Sequence, residues 1–552
     1  MDLVELRDLD GPNIFLLEPA IKLEVATAEG EAFDLDAFAR QLGIQGDITK
    51  TDRASADRST VSAALVQATA HLHRLSGTAV PRVVVQPLET PGHLAVAFGW
   101  QHRRFAIQLA RDVGDAIDGK HVDLDAVVTR LRSLRESVAT DDRPLMIRDA
   151  DRRLRSIAVT GTNGKTTTTR LIAHILRVAG LRVGWCSSSG VYIEGNEVLE
   201  GDYSGPSGAR RVLLEPDLDA GVLETARGGI LLRGVAYESN DVSVFTNVSA
   251  DHLDLQGVRT VEGLARVKAV VVRVTKADGY AVLNADDPLV IGATGDIRAS
   301  RFLFSQQTLN PHVNEHRSTG GRALLANDRA IILVQGDERR PFTELRDVPI
   351  TYGGTARHMV ENALAATAAC LAFGISEEHV RAGLTSFANT PECNVGRLNV
   401  FKVDDVTVIV DYAHNEAGLM HLLAFARRYC GPSGRLISII GTAGDRTEQS
   451  LREIGRIAAT ESDAVIVKGT ERYQRGRALD DMIALYCEGI RLAGSKPLAI
   501  DRLEFPALLT ALDLARGGDV IAIMAQEQIP EIIHHLRHLG GAPRSGNQSL
   551  EP

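Results

Sequence analysis

Apolar and polar positions along this chain follow two rhythms, and the rhythm changes near residues 150 and 395. Over residues 1–148 the pattern predicts a small α+β domain. Val61, Ala64, Leu65, Ala68 and Leu72 fall on one stripe at helical spacing, which predicts a helix over 60–75. A second helix is predicted over 123–138. Two alternating runs, 93–100 and 104–109, flank a short polar turn and predict a β-hairpin. The polar stretch 140–155 reads as a linker.

From Leu154 onward, strand-like and helical runs alternate. Apolar runs at 156–160, 221–224, 242–246 and 280–284 are separated by helical stretches such as 165–179, which stops at Gly180. Such alternation predicts a largely parallel sheet covered by helices. Residues 302–350 break the pattern with short strands and a turn at Asn327-Asp328, and helices resume at 359–373 and 377–387. A third unit starts near Gly396. There 398–403 and 406–411 flank Asp404-Asp405 as a hairpin, and strand-like runs follow at 436–440, 464–468, 497–500 and 520–524. The expected architecture is α/β: a small α+β domain (1–148), a parallel-sheet domain with a phosphate loop (149–394) and a Rossmann-like domain (395–540). The tail 541–552, rich in Gly, Pro, Ser and Asn, is expected to be disordered.

The length, 552 residues with 44% hydrophobic, agrees with about three domains. A net charge of −10 with no basic cluster excludes the electrostatic footprint of a nucleic-acid binder. Five scattered cysteines, with no CxxC pair, suit a reducing compartment. The first residues carry alternating charge without an apolar leader core, and no run of 18 apolar residues occurs. A cytoplasmic, soluble protein with no membrane partner is expected.

The chemistry is concentrated at strand ends. Thr160-Gly161-Thr162-Asn163-Gly164-Lys165-Thr166-Thr167 follows a strand and opens a helix. Glycines let backbone N–H groups approach phosphates, the helix N-terminus favours negative charge, and Lys165 adds a cation. Thr166 offers a hydroxyl for Mg²⁺. The common phosphate-loop template wants glycine at 159, where this chain has Val159. Glu224 closes one later strand-like run, and the segment Asn247-Val248-Ser249-Ala250-Asp251-His252-Leu253-Asp254 closes another. Carboxylates and an imidazole at the carboxyl edge of such a sheet suit a Mg²⁺–phosphate site.

These segments together resemble the Mur ligases. The resemblance implies that Gly161, Thr162, Asn163, Gly164, Lys165, Thr166 and Thr167 hold ATP. Glu224 and His252, with Thr166, would hold Mg²⁺, two ions in that family. Lys268, in Ala265-Arg266-Val267-Lys268-Ala269, takes the place where many Mur ligases carry a carbamylated lysine. Asn284, in Leu283-Asn284-Ala285-Asp286-Asp287-Pro288, matches a nucleotide-side segment. Asn362, in His358-Met359-Val360-Glu361-Asn362-Ala363-Leu364, matches the adenine-contacting helix, with Met359 where asparagine is usual. Gly396-Arg397 matches an element whose arginine grips the phosphates across a domain boundary. In Asp411-Tyr412-Ala413-His414-Asn415 the aspartate would meet ribose and the histidine would lie near the phosphates. Glu416 stands where proline is usual, and both residues suit a first helical turn. Gly441-Thr442-Ala443-Gly444-Asp445-Arg446 resembles the loop facing the incoming amine.

Within the superfamily these runs, and Leu6-Arg7-Asp8-Leu9-Asp10-Gly11-Pro12-Asn13-Ile14 at the start, most resemble the cyanophycin synthetases. Those enzymes carry an ATP-grasp domain between the two regions, where this chain has only 140–155. The implied activity is ATP- and Mg²⁺-dependent amide ligation, with Lys165, Glu224, His252, Lys268 and Arg397 as catalytic residues. The partners would be a carboxylate acceptor (an amino acid or acidic peptide) and an amine donor. A separate ATP-grasp ligase supplying the acceptor, and a homo-oligomer, are compatible with the sequence. The alternatives are a nucleotide-binding scaffold or regulatory subunit of a ligase complex that has lost its chemistry, and a P-loop kinase. The latter leaves the DYAHN and AGDR segments without a role.

Overall fold

A computed structural model describes residues 1–26, 33–44, 58–137, 142–251, 253, 256–431, 433–544 and 546. Its three sheets lie one in each of the stretches before, between and after the changes of pattern near residues 150 and 395. The first is a four-stranded antiparallel sheet in the order Asp2–Leu9, Ala20–Ala26, His93–Gly99, Val83–Pro87. Helices Arg58–Leu75 and Arg103–Ile117 bury one face of it around Leu23, Leu65, Val96, Phe98 and Leu109.

The hairpin expected from 93–100 and 104–109 does not form. His93–Gly99 is a strand, but the second run lies inside the helix Arg103–Ile117, and the strand pairs instead with Val83–Pro87 and Ala20–Ala26. The short run alternates like a strand. Extended to Ile117, however, Phe105, Ala106, Leu109, Ala110, Val113, Ala116 and Ile117 form a helical stripe that buries more apolar surface.

The central sheet has eleven strands. Its parallel middle carries the strand ends that hold the chemistry, in the order Thr275–Asn284, Asn240–Phe245, Arg155–Thr160, Ala220–Glu224, Val183–Ser187. These strands are apolar and buried on both faces, as parallel strands covered by helices must be. Antiparallel strands extend both edges. Helix Arg357–Phe373 packs on helix Lys165–Val178 and on the sheet. Its run of alanines lets backbones approach closely while Leu364 and Phe373 fill the gaps.

The third sheet runs Ala499–Asp501, Ala464–Lys468, Leu436–Ile440, Val520–Met524, Val406–Asp411, Asn399–Val403, Ala542–Arg544. The first five strands are parallel, a Rossmann-like layout. The hairpin across Asp404-Asp405 forms as expected. Where disorder was expected from residue 541 onward, Ala542–Arg544 adds an antiparallel strand beside Asn399–Val403, because that edge offers unpaired backbone groups. Residues 547–552 lie outside the described residues. Among those described, no helix is long and apolar enough to cross a membrane.

Candidate active site

The loop between strand Arg155–Thr160 and helix Lys165–Val178 is held from several sides. Thr162 and Asn163 donate their N–H groups to the carbonyl and the side-chain oxygen of Asn247, at 2.8 and 2.9 Å. Thr246 Oγ1 donates to the Asn163 carbonyl at 2.7 Å. Gly164 caps the helix in the left-handed region (φ 84°), and a Cβ there would stand 2.2 Å from Asn362 Oδ1. Both the turn and the close approach therefore call for glycine. Lys165 Nζ donates to the Thr162 carbonyl at 2.7 Å, so the cation is folded over its own loop.

Beside the loop, hard oxygen donors converge. Thr166 Oγ1 lies 3.0 Å from Ser188 Oγ, and the Ser188 N–H donates to Glu224 Oε2 at 3.2 Å. Burial pushes the Glu224 carboxyl up, opposed by the charges of Lys165 and Arg397. Beneath this turn, buried Arg170 donates to Ser189 Oγ at 2.7 Å. Among the described residues no group of three or more His, Cys, Asp or Glu side chains gathers as a metal cage. The donors present fit Mg²⁺ of the kind that takes one or two protein oxygens and completes its shell with substrate phosphates and water. His252 lies outside the described residues.

Lys268, in helix Val261–Arg273, is buried and donates to the Gly161 carbonyl at 2.5 Å. Burial holds its ammonium well below the usual lysine range, and neighbouring Lys165 and Arg227 push it the same way, against Asp251.

The C-terminal sheet supplies the opposite wall. Arg397 stacks over the Tyr412 ring at 4.3 Å and reaches Thr166 Oγ1 at 3.3 Å and Ser188 Oγ at 3.5 Å. The next residue, Leu398, is left-handed (φ 54°). Its carbonyl accepts from Tyr352 Oη at 2.9 Å and Asn389 Nδ2 at 3.0 Å. Asn415 caps helix Glu416–Arg427, so Glu416 does occupy the first turn, and its side-chain amide pairs with that of Asn163. His414 Nε2 stands 3.8 Å from Asp251 Oδ2; burial lowers its pKa and Asp251 opposes the shift. Asp411 Oδ2 accepts from the Leu398 N–H at 2.7 Å. A buried network of Lys468, Glu504 and Gln526 steadies this wall, Gln526 donating to the Ala413 carbonyl at 2.6 Å.

A cleft of about 390 Å³ opens between the walls. Thr162, Asn163, Gly164, Lys165, Thr166, Thr167, Glu224, Lys268, Asn362, Arg397, Asp411 and His414 all line it. Gly161 and Asn284 do not. Asn284 is spent on the Thr246 carbonyl and the Asp286 N–H. Asn362 meets Thr168 and Met359 Sδ. Sequence reasoning missed Ser188, Asp202, Arg170 and Glu361. The signal for the first was Ser187-Ser188-Ser189-Gly190, a polar turn at a strand end in the same sheet edge.

Two family models match the chain: the Mur ligase middle domain over residues 159–370 and the Mur ligase glutamate ligase domain over 396–526. A UDP-N-acetylmuramoyl-L-alanyl-D-glutamate–2,6-diaminopimelate ligase from Gloeobacter violaceus is 31% identical over 388 residues, covering 67% of this chain and 72% of that one. The chain belongs to the Mur ligase family. Within the Mur ligases it is also similar to cyanophycin synthetase from Crocosphaera subtropica, 39% identical over 373 residues. That match covers 67% of this chain and 42% of the relative, so the chain spans well under half the length of that relative. The fold resembles E. coli FolC solved in complex with DHPP and ADP. There the TM-score is 0.52 at 20% identity, covering 70% of this chain and 89% of that one.

Proposed function

We propose that this Mur ligase is an ATP-dependent acid–amino-acid ligase. It phosphorylates an acceptor carboxylate, on an amino acid or acidic peptide, and lets the amine of an amino acid or similar compound displace the phosphate. The products are an amide, ADP and phosphate. One observation carries the reading: Arg397 of the C-terminal wall reaches Thr166 on the phosphate loop. Two domains thus bring cations and hydroxyls to one point, as phosphoryl transfer between bound partners requires.

The roles follow from charge. A carboxylate is a poor electrophile because its oxygen is a poor leaving group, and phosphorylation remedies that. Lys165 and Arg397 neutralise charge growing on the transferring phosphoryl group. Glu224, Thr166 and Ser188, with His252 from the sequence motif, would hold Mg²⁺, which when bound neutralises phosphate charge further. Lys268 anchors the loop through Gly161. Arg227, buried on the cleft wall near Asp251, is a cation for the acceptor carboxylate. Asp411, His414 and Asn362 line the side assigned to the nucleotide. Closure of the two walls keeps water from the acyl phosphate.

The test is ADP release measured with a carboxylate alone, an amine alone and both together, across amino acids and short acidic peptides, with products read by mass spectrometry. Ligation predicts ADP in step with a product lighter than its parts by one water. ADP release coupled to a phosphorylated hydroxyl would instead establish a kinase.

A further inference from the structure

We infer that the N-terminal domain is a positioning element for the phosphate site, acting through Glu89 on the helix that carries Lys268. The inference rests on the nucleotide site proposed above.

Glu89 lies in the connection between strands Val83–Pro87 and His93–Gly99, yet its carboxylate bonds to Arg259, Thr260 and Arg266 of the central domain. Its Oε2 accepts from the N–H groups of Arg259 at 2.5 Å and Thr260 at 2.8 Å. Its Oε1 accepts from Thr260 Oγ1 at 2.7 Å and Arg266 Nη2 at 2.8 Å. Thr260 is the N-cap of helix Val261–Arg273. One carboxylate from another domain therefore fixes the cap, the residue before it and a side chain in the second turn. Negative charge here also complements the helix dipole. Burial pushes this carboxyl up, but the Thr260 and Arg259 hydrogen bonds and the Arg266 charge bring it below the usual range.

The approach is built into the helix. A Cβ on Gly263 would stand 1.9 Å from Glu89 Oε1. Glycine is among the poorest helix formers, so its presence in the first turn is accounted for by the carboxylate it admits. The neighbouring face of the same helix carries Leu264 and Lys268, which line the cleft, and Lys268 holds the phosphate loop at Gly161.

A second tie reaches the other side of the cleft. The Asp10 N–H donates to the Arg233 carbonyl and the Val235 N–H to the Pro12 carbonyl, at 2.8 and 2.9 Å, and Arg7 donates to the Leu231 carbonyl at 3.1 Å. These clasp the end of helix Arg227–Arg233, whose first residue faces the cleft just after Glu224. The Asp10-Gly11-Pro12 segment thereby gains a role. The N-terminal domain thus grips the ends of two elements that also carry cleft-lining residues.

The experiment uses the full chain with Glu89→Gln, Gly263→Ala, Glu89→Ala and the Glu89→Ala/Gly263→Ala double variant. Turnover, the KM for the amine and the affinity for ADP by calorimetry at fixed Mg²⁺ are measured, with melting temperature as a check of folding. Glu89→Gln is expected to lower kcat by about tenfold and weaken ADP binding, leaving the KM of the amine unchanged, since small misplacements remote from the reacting atoms have such effects. Gly263→Ala should do the same in the parent and nothing further in Glu89→Ala, because the clash partner is gone. Parent-like kcat and ADP affinity in Glu89→Gln, or an equal effect of Gly263→Ala in both backgrounds, overturns the inference. Lys165→Ala is the control. If it too keeps turnover and ADP affinity, the phosphate-site reading falls and this inference with it; if it loses them while Glu89→Gln does not, the inference alone falls.

Discussion

Asp251 of the central domain and Arg446 of the C-terminal domain form an ion pair across the domain boundary, with side chains 12% and 4% exposed. His414 stands on the same carboxylate, and Arg227 and Lys268 feel its charge. Removing one partner of such a pair leaves a poorly solvated charge, so it costs more than removing both. We expect Arg446→Met and Asp251→Asn each to reduce kcat/KM strongly, and the double variant to reduce it by much less than the sum. A double-mutant cycle should give a coupling of about 1–3 kcal/mol. Additive effects would mean that the pair does not hold the walls together.

Lys165→Ala tests the phosphate loop directly. Its ammonium already sits over the loop carbonyl of Thr162, so the charge is preorganised. Loss of such a group should lower kcat by roughly 10²-fold or more. Single-turnover measurement of acyl phosphate formation, trapped with hydroxylamine, locates the effect in the first step; unchanged trapping would refute the assignment.

Glu224→Ala should raise the Mg²⁺ concentration needed for half-maximal turnover and lower the maximum. Thr166→Val should act in the same direction. The motif assigns His252 the same behaviour. Mn²⁺ binding followed by electron paramagnetic resonance, with ADP present, gives the check without turnover. A Glu224→Ala variant that binds Mn²⁺ like the parent would remove that residue from the ligand set.

Glu361 provides a test in pH. Burial pushes its carboxyl up to about 7, with Asp286 and Asp287 adding to the shift and the Asn247 hydrogen bond at 2.8 Å opposing it. A carboxyl raised in the folded state contributes stability that is complete below its ordinary value of 4.5 and is lost as pH rises through about 7. The melting temperature of Glu361→Gln relative to the parent should therefore climb between those pH values and level off above them. A difference that stays flat with pH would show that the group ionises freely.

The sequence and the structure agree where local chemistry and long-range packing ask for the same thing. Gly164 was legible because a phosphate loop and a left-handed cap both need glycine there. Lys268 was legible only as a position in a motif; its burial and its bond to Gly161, 107 residues away in sequence, come from how helix Val261–Arg273 packs. The run 104–109 misled because six residues fit either period, and the stripe that decides it continues to Ile117. Glu89 carried no signal of its own, since a glutamate in a polar turn looks solvated until another domain is set against it. Ser188 gave only the faint signal of a polar turn at a strand end, because a serine hydroxyl is specific only through what surrounds it.

The anchoring of Leu398 has a mechanical consequence. Tyr352 and Asn389 fasten its carbonyl, and Asn389 also takes the carbonyl of Arg397 at 3.1 Å. A point so pinned is a fulcrum. Arg397 adjoins it and would sweep a short arc if the C-terminal wall swung outward, whereas Arg446, which follows strand Leu436–Ile440 across the sheet from Asn399–Val403, would ride the longer arm. The guanidinium on Thr166 would then be the last contact broken and the first remade, and the Asp251–Arg446 pair would behave as the latch at the free end of the lever.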